Sequence, residues 1–412
     1  MSTKNVHLIY IILLLTGLLA GACRDDEDVE PQLPGMSGDT LSQTLIVYMA
    51  AENNLHGHMR TDSLEIAWGL DSIGDDCRVV VFMDDQKSSR LCVGTRKEPL
   101  QTVKTYEGNL CSTDGQTMAD VLREIVRLYP ARNYALVLCS HGSGWLFDDL
   151  ASASQSGSRR SFGVDNGYRS SSTSGRRMNI PVLASVLSGC PHFDYILFDA
   201  CFMQSVEVAY ELRHTADYII ASPAEIPASG APYTQMLRAM CSLPVDPAAI
   251  SASYVDYYLR GYGSFSYGGA ELSAVRTDKL ERLAQATAPL MNRLLAGRTE
   301  IDVTGVQHYW PDLSSMRYTA AYDLKNLLYH ALDSSAYEEW VRVFDEAVPV
   351  QHLSPKWFSA YHDGISLPVA DIPHCGGVSI YVPSELHQSK GWNDDYHQLE
   401  WYRATGMSST DW

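Results

Sequence analysis

Five short runs of the chain are apolar on both faces: Thr44–Ala50 (TLIVYMA), Arg78–Met83 (RVVVFM), Tyr134–Leu138 (YALVL), Tyr195–Phe198 (YILF) and Tyr218–Ala221 (YIIA). Runs that lack polar alternation and are rich in β-branched residues suit central strands of a parallel sheet covered by helices. Between them, apolar positions recur at helical spacing. Thr113 or Asp114 can cap a helix whose stripe is Met118, Leu122, Ile125, Val126 and Tyr129, stopped by Pro130. Ile180–Leu187 predicts a second, short helix. A third is expected just after Cys201, with Phe202, Val206, Ala209 and Tyr210 on one face. Strands alternating with helices predict an α/β/α sandwich over residues 44–232, with a mostly parallel central sheet.

Two segments break the rhythm. Ala151–Gly175 is dominated by Ser, Gly and Arg, and predicts a long flexible loop over about residues 148–178. From Tyr233 to Tyr361 the pattern is helix-rich, most clearly in Asp278–Leu295 and Tyr337–Val348, so residues 233–412 read as an accessory region. Within that region Gly377–Val382 (GVSIYV), ended by Pro383, predicts a strand that returns to the first sheet.

The N-terminus reads as an address. Lys4, the apolar run Leu8–Leu19 and the small residues Ala20-Gly21-Ala22 form a secretory signal over residues 1–22. A membrane span would need about 20 apolar residues. Cys23, directly after the small residues, resembles the lipobox of bacterial lipoproteins, where that Cys is acylated and holds the protein to the outer membrane. The other reading is a plain secreted protein with an incidental Cys. Arg24-Asp25-Asp26-Glu27-Asp28 and the stretch to residue 43 form a solvated acidic tether. An acidic block in that place also resembles the surface-export signal of Bacteroidetes lipoproteins.

Composition narrows the function. A chain of 412 residues with 45% hydrophobic positions is not disordered. Its 31 basic and 49 acidic residues give a net charge of −18, which argues against a nucleic-acid partner and suits basic substrates. The 9 Cys form no CxxC pair, removing zinc ribbons and thioredoxin-type sites, and their disulfide pairing is not legible. HExxH, P-loop and GxSxG signatures are absent.

Ligands of open parallel sheets bind beyond the carboxyl ends of the strands. Two strands end in reactive residues: Tyr134–Leu138 runs into Cys139-Ser140-His141-Gly142, and Tyr195–Phe198 into Asp199-Ala200-Cys201. A thiolate is a nucleophile, and His can take its proton near neutral pH; this chemistry requires no cofactor. Cys201 would open the predicted third helix, whose N-terminal dipole lowers a thiol pKa. Gly142 has no side chain to keep an oxyanion from its amide. On pattern alone, Cys201 could equally be an inert strand end and His141 a turn residue.

YALVLCSHGSGW, followed by YILFDACFMQSVEVAYEL, resembles the clostripain family of cysteine peptidases, whose fold is shared with caspases, legumains and gingipains. Met49-Ala50-Ala51-Glu52-Asn53-Asn54-Leu55, Glu271-Leu272-Ser273-Ala274-Val275 and Gly377-Val378-Ser379-Ile380-Tyr381-Val382-Pro383 are similar to further family segments, so the likeness covers most of residues 44–385. It implies a caspase-like α/β/α sandwich and an endopeptidase, with His141 as general base and Cys201 as nucleophile. The amides of Gly142 and Cys201 would form the oxyanion hole. Asp199 would sit at the base of an S1 pocket for P1 Arg, or Lys; its alternative role is to cap the following helix. At the pocket's far rim, where relatives read Gln-Glu, this chain has Ser222-Pro223-Ala224-Glu225, with Glu225 the next acid available. The family often cuts itself after a basic residue between His and Cys, which nominates Arg159, Arg160, Arg176 and Arg177. Some relatives depend on calcium, but no EF-hand spacing is present, so any metal site is unreadable here. The implied partners are proteins or peptides with basic P1 residues, and a membrane reached through Cys23. The competing expectation is a surface-binding lipoprotein that keeps the scaffold without turnover.

Overall fold

The computed structural model describes residues 40–146, 161–167, 175–260, 269–295, 301–309, 319–359, 365–369 and 371–407. The chain begins with strand β1 (Leu41–Ala51), helix α1 (His56–Gly69) and the meander β2 (Cys77–Asp85), β3 (Ser88–Thr95) and β4 (Gln101–Thr105). Next come α2 (Gly115–Leu128), β5 (Ala131–Cys139), the short β6 (Phe162–Asp165) and β7 (Arg176–Met178), α3 (Ile180–Ser188), β8 (Phe193–Asp199), α4 (Val206–Glu211) and β9 (Ala216–Ala221). The second half holds α5 (Tyr233–Met240), α6 (Pro247–Arg260), β10 (Glu271–Arg276), α7 (Leu280–Leu295), β11 (Tyr322–Asp323), α8 (Leu324–Ala331), α9 (Ser334–Ala347), β12 (Val350–Leu353), β13 (Lys356–Ser359), β14 (Ile365–Pro368) and β15 (Ser379–Ile380). Three short helices close it, α10 (Glu385–Gln388), α11 (Trp392–Tyr396) and α12 (Glu400–Ala404).

One nine-stranded sheet, ordered β12-β10-β9-β8-β5-β1-β2-β3-β4, runs through the molecule. The five apolar runs are its five central strands, β9-β8-β5-β1-β2, and they are parallel. Each edge is finished by an antiparallel pair, β3/β4 on one side and β10/β12 on the other. Side chains of a strand alternate between faces, so each apolar run feeds two cores. Ile46, Tyr48 and Ala50 of β1 join one core with Met118, Leu122 and Ile125 of α2. Leu45, Val47 and Met49 join the other with Met59 and Ile66 of α1 and Met236 and Leu237 of α5. The Asp114 side chain caps α2, accepting from the amides of Gln116 and Thr117. That is the mixed α/β sandwich the pattern predicts.

Three expectations are corrected. Residues 233–412 are not an accessory to a finished core, because β10 and β12 complete the sheet's edge, and α5 and α6 help cover one face. The segment at residues 377–382 does not return to that sheet. Both edges of the parallel strands are already taken, and β15 pairs with β11 in a separate two-stranded ribbon. The segment docks through the Ser379 amide on the Gln204 carbonyl (2.9 Å) and the Tyr381 amide on Glu207 Oε1 (2.8 Å). Tyr381 also stacks edge-on against Trp145, in the loop after β5, at 4.9 Å between ring centroids. Finally, the stretch predicted as a loop over residues 148–178 contains structure: β6 and β7 pair as an antiparallel ribbon.

If the C-terminal half completes one fold, a chain truncated after Pro232 is expected not to fold, because one sheet edge and much of one face would lie bare. Near-UV circular dichroism would read the loss of packed aromatics. A truncated chain with a cooperative melt would show the first half to be a domain of its own.

Candidate active site

The site is built by strand register. In the β5–β8 ladder Cys139 pairs with Asp199, and the Ser140 amide extends the ladder to the Asp199 carbonyl (3.4 Å). His141 and Cys201 each follow these partners by two residues, so both leave the sheet at one end of neighbouring strands. The loop after β5 is then clamped by the β6 segment. The Gly163 amide donates to the His141 carbonyl (2.8 Å) and the Ser143 amide to the Ser161 carbonyl (3.2 Å). These two bonds flank Gly142, whose own N–H takes no part in them. A Cβ on Gly142 would lie 2.6 Å from the Cys201 carbonyl oxygen and 2.8 Å from the Met203 sulfur. The bare backbone of Gly142 is therefore what lets the two loops meet.

Cys201 does not open a helix. Phe202 has a left-handed φ of 61°, and its amide donates to the Ala224 carbonyl while that of Gln204 donates to Ser222. The segment thus lies extended beside the chain leaving β9, and α4 starts at Val206 with Ser205 as its cap. The dipole argument for a lowered thiol pKa falls with it. So does the role of Asp199 as a helix cap. Cys201 Sγ instead accepts from the Ile226 amide at 3.4 Å.

His141 Nε2 lies 2.6 Å from Asn54 Oδ1. A carbonyl oxygen only accepts, so in the neutral ring Nε2 carries the proton and Nδ1 the lone pair. Asn54 is delivered by the turn after β1, which Asn53 builds. Asn53 Nδ2 donates to the Ala50 and Val164 carbonyls (2.8 and 2.9 Å), and Oδ1 accepts from the Leu55 amide (2.8 Å). In the sequence Asn54 stands only as part of a family-like turn; a polar residue after a strand carries no sign of what it will meet.

His141, Gly142, Cys201, Asp199, Glu225 and Arg177 all line one cavity of roughly 250 Å³. Asp199 is 7% exposed, and its Oδ2 accepts from the Tyr233 hydroxyl at 3.0 Å. Burial pushes its carboxyl above the usual range, against the Ala231 amide and Tyr233 hydroxyl that stabilise the ionised form. Glu225 Oε2 accepts from Ser359 Oγ at 2.9 Å, which turns it toward the β13–β14 ribbon. Arg176 is exposed beside the cavity-lining Arg177. Arg159, Arg160 and Cys23 lie outside the described residues. Among the described residues the eight cysteines are free thiols.

A second cluster lies behind the site. One carboxylate oxygen each from Glu52, Asp84 and Asp165 fall within 4.8 Å of one another, all three buried. An all-oxygen set of this kind suits a hard cation such as calcium. Burial, ahead of the neighbouring Asp165, pushes the Asp84 carboxyl up to about 7. The three positions come from the turn just after β1, from β2 and from β6, far apart in the chain, so no local spacing announced them.

The clostripain family model matches residues 47–412. A secreted C11 cysteine protease from Bacteroides thetaiotaomicron, solved with an irreversible peptide inhibitor, is 31% identical. The match covers 90% of this chain and 100% of that one, at a TM-score of 0.75. An inactive zymogen C11 protease from Parabacteroides distasonis is 29% identical over 89% of this chain and 99% of its own, at 0.72. A B. fragilis cysteine protease is 32% identical over 58% of this chain and 98% of its own, at 0.53. No curated protein matches.

The close approach at Gly142 gives a direct test. Gly142→Ala is expected to lower peptidase kcat/KM by about a hundredfold or more, since displacing a reacting group by about 1 Å costs that much. The thermal midpoint should fall as well, since the added Cβ presses on backbone. Unaltered turnover would show that the two loops have slack.

Proposed function

Since the chain belongs to the clostripain family and is therefore a cysteine endopeptidase, we propose that it is exported and cuts after basic residues with Cys201 as nucleophile and His141 as base. One observation carries this reading: the register-paired strand ends deliver both residues, with buried Asp199, to the wall of a single cavity. With Nε2 donating to Asn54, His141 presents Nδ1 to take the thiol proton. Cys201 Sγ then attacks the scissile carbonyl, the Gly142 amide stabilises the oxyanion, and His141 returns the proton to the leaving amine. Water, activated by His141, releases the acyl group. An Arg or Lys at P1 would reach the Asp199 carboxylate, whose Oδ1 has no hydrogen-bond partner among the described residues.

Self-processing belongs to the same reading. Arg177 lines the cavity that would receive a P1 side chain, and a similar protein is described as an inactive zymogen. The uncut chain would thus present a basic residue of its own between His141 and Cys201. Export is supported by the secretory pattern of residues 1–22 and by a relative described as secreted. Lipid at Cys23 would hold the mature protein at the outer membrane, and Cys23→Ser is then expected to move it from the membrane to the soluble fraction. Retention of that variant after a high-salt wash would assign the anchoring elsewhere.

A peptide electrophile with P1 Arg is expected to label wild type covalently and to leave Cys201→Ala unlabelled. In the same preparations wild type should appear as two fragments, broken within residues 157–178, and Cys201→Ala as one. Labelling that survives in Cys201→Ala would refute the nucleophile. Cleavage of that variant at the same bond, with no other protease present, would refute self-processing.

A further inference from the structure

The cavity contains a second buried acid. Asp62 lies one helical turn after Met59 on α1, is 4% exposed, and lines the same cavity as Asp199. Helix α1 packs on α5, which carries the Tyr233 that binds Asp199 Oδ2. The opposite wall is kept open by Gly230. It has a left-handed φ of 63°, and a Cβ there would lie 2.8 and 3.0 Å from the two Asp199 oxygens. A side chain at that position would press on the carboxylate.

We propose that Asp62 and Asp199 together form the floor of the S1 subsite, a two-carboxyl receptor that selects the guanidinium of a P1 arginine over the ammonium of lysine. This rests on the basic-P1 reading and extends it. A guanidinium offers five donors in a fixed plane, more than the one unpartnered oxygen of Asp199 can accept, and Asp62 supplies the further acceptors. Lysine presents a compact, strongly hydrated charge with three donors and gains less from a second carboxylate.

Two acids facing one cavity cannot both ionise easily. Burial first, then Asp199 and Glu65, push the Asp62 carboxyl up to about 10, so at neutral pH it holds its proton. The other titratable groups close around the pair are Cys139 and Tyr233, with Tyr254 and Tyr258 beyond them. His141, Cys201, Glu225 and Arg177 line the rest of the cavity. A cation at the floor reverses the balance and lowers the carboxyl pKa, so binding P1 arginine releases the Asp62 proton to solvent.

The test is calorimetry on the processed enzyme, using product peptides that end in arginine, lysine or the neutral isostere citrulline. Titrations in buffers of different ionisation enthalpy count the protons released. Wild type is expected to release close to one proton with arginine, none with citrulline, and to prefer arginine over lysine. Asp62→Asn should release none with arginine and lose roughly ten- to hundredfold of that preference, the scale of a lost charged hydrogen bond. The variant should fold. An unfolded Asp loses its proton near pH of about 4 and folded Asp62 near 10, so its burial destabilises the fold increasingly between those values. Asp62→Asn should therefore melt no lower than wild type at pH 7. Arginine binding with the same proton release and preference in Asp62→Asn would overturn the two-acid floor and leave the basic-P1 reading standing. Equal binding of the arginine and citrulline peptides to wild type would overturn both.

Discussion

The candidate active site depends on the parallel pairing of β5 with β8. That ladder sets Cys139 opposite Asp199, and with them the two residues that follow each strand. A register slip by one residue would turn every side chain of β8 to the other face and carry Asp199 out of the cavity. The ladder is secure because both strands are buried on two faces: Leu136, Leu138, Ile196 and Phe198 face one core, and Ala135, Val137, Tyr195 and Leu197 the other. Gly142 then permits contact between the two loops, and the β6 segment holds the His141 carbonyl. Reactive geometry is here a by-product of core packing.

Electrostatics at the site run against that packing. Asp62, Asp199 and Glu65 all sit where burial raises their carboxyl pKa values. The fold offsets the cost in part with the Tyr233 hydroxyl and backbone amides, and in part by keeping a proton. Such an arrangement costs the folded protein stability. Asp85 shows the contrast: Arg60 and Arg90 hold that buried carboxyl well below the usual range. The same side chain type is a structural ion pair in one place and a buried carboxyl without a cation partner among the described residues in another.

The C-terminal half supplies parts that the site needs. Tyr233 of α5 reaches Asp199, and Ser359 of β13 reaches Glu225. The Tyr381 segment packs on Trp145 in the His141 loop. Asp323 gathers the amides of Gly376 and Gly377, which turns the chain so that β15 lands beside Gln204 and not on the sheet. A helix-rich pattern after Tyr233 concealed this, since periodicity describes each element and says nothing of which sheet edge a short strand will find.

The sequence by itself determined the five parallel strands, the helix capped by Asp114, the short helix from Ile180, and the strand ends that carry His141 and Cys201. Those signals are local: runs of β-branched residues, caps and helical stripes act over a few neighbouring positions. It misplaced the helix after Cys201, because an apolar period at Phe202, Val206 and Ala209 does not register a left-handed turn at Phe202. The partners of the site were decided only in three dimensions. Asn54 meets His141 across 87 residues, Tyr233 meets Asp199 across 34, and Asp62 lines the same cavity as Asp199 from a helix that also buries Met59 and Ile66. What each of these residues faces was fixed by packing between helix and sheet, which no spacing along the chain contains.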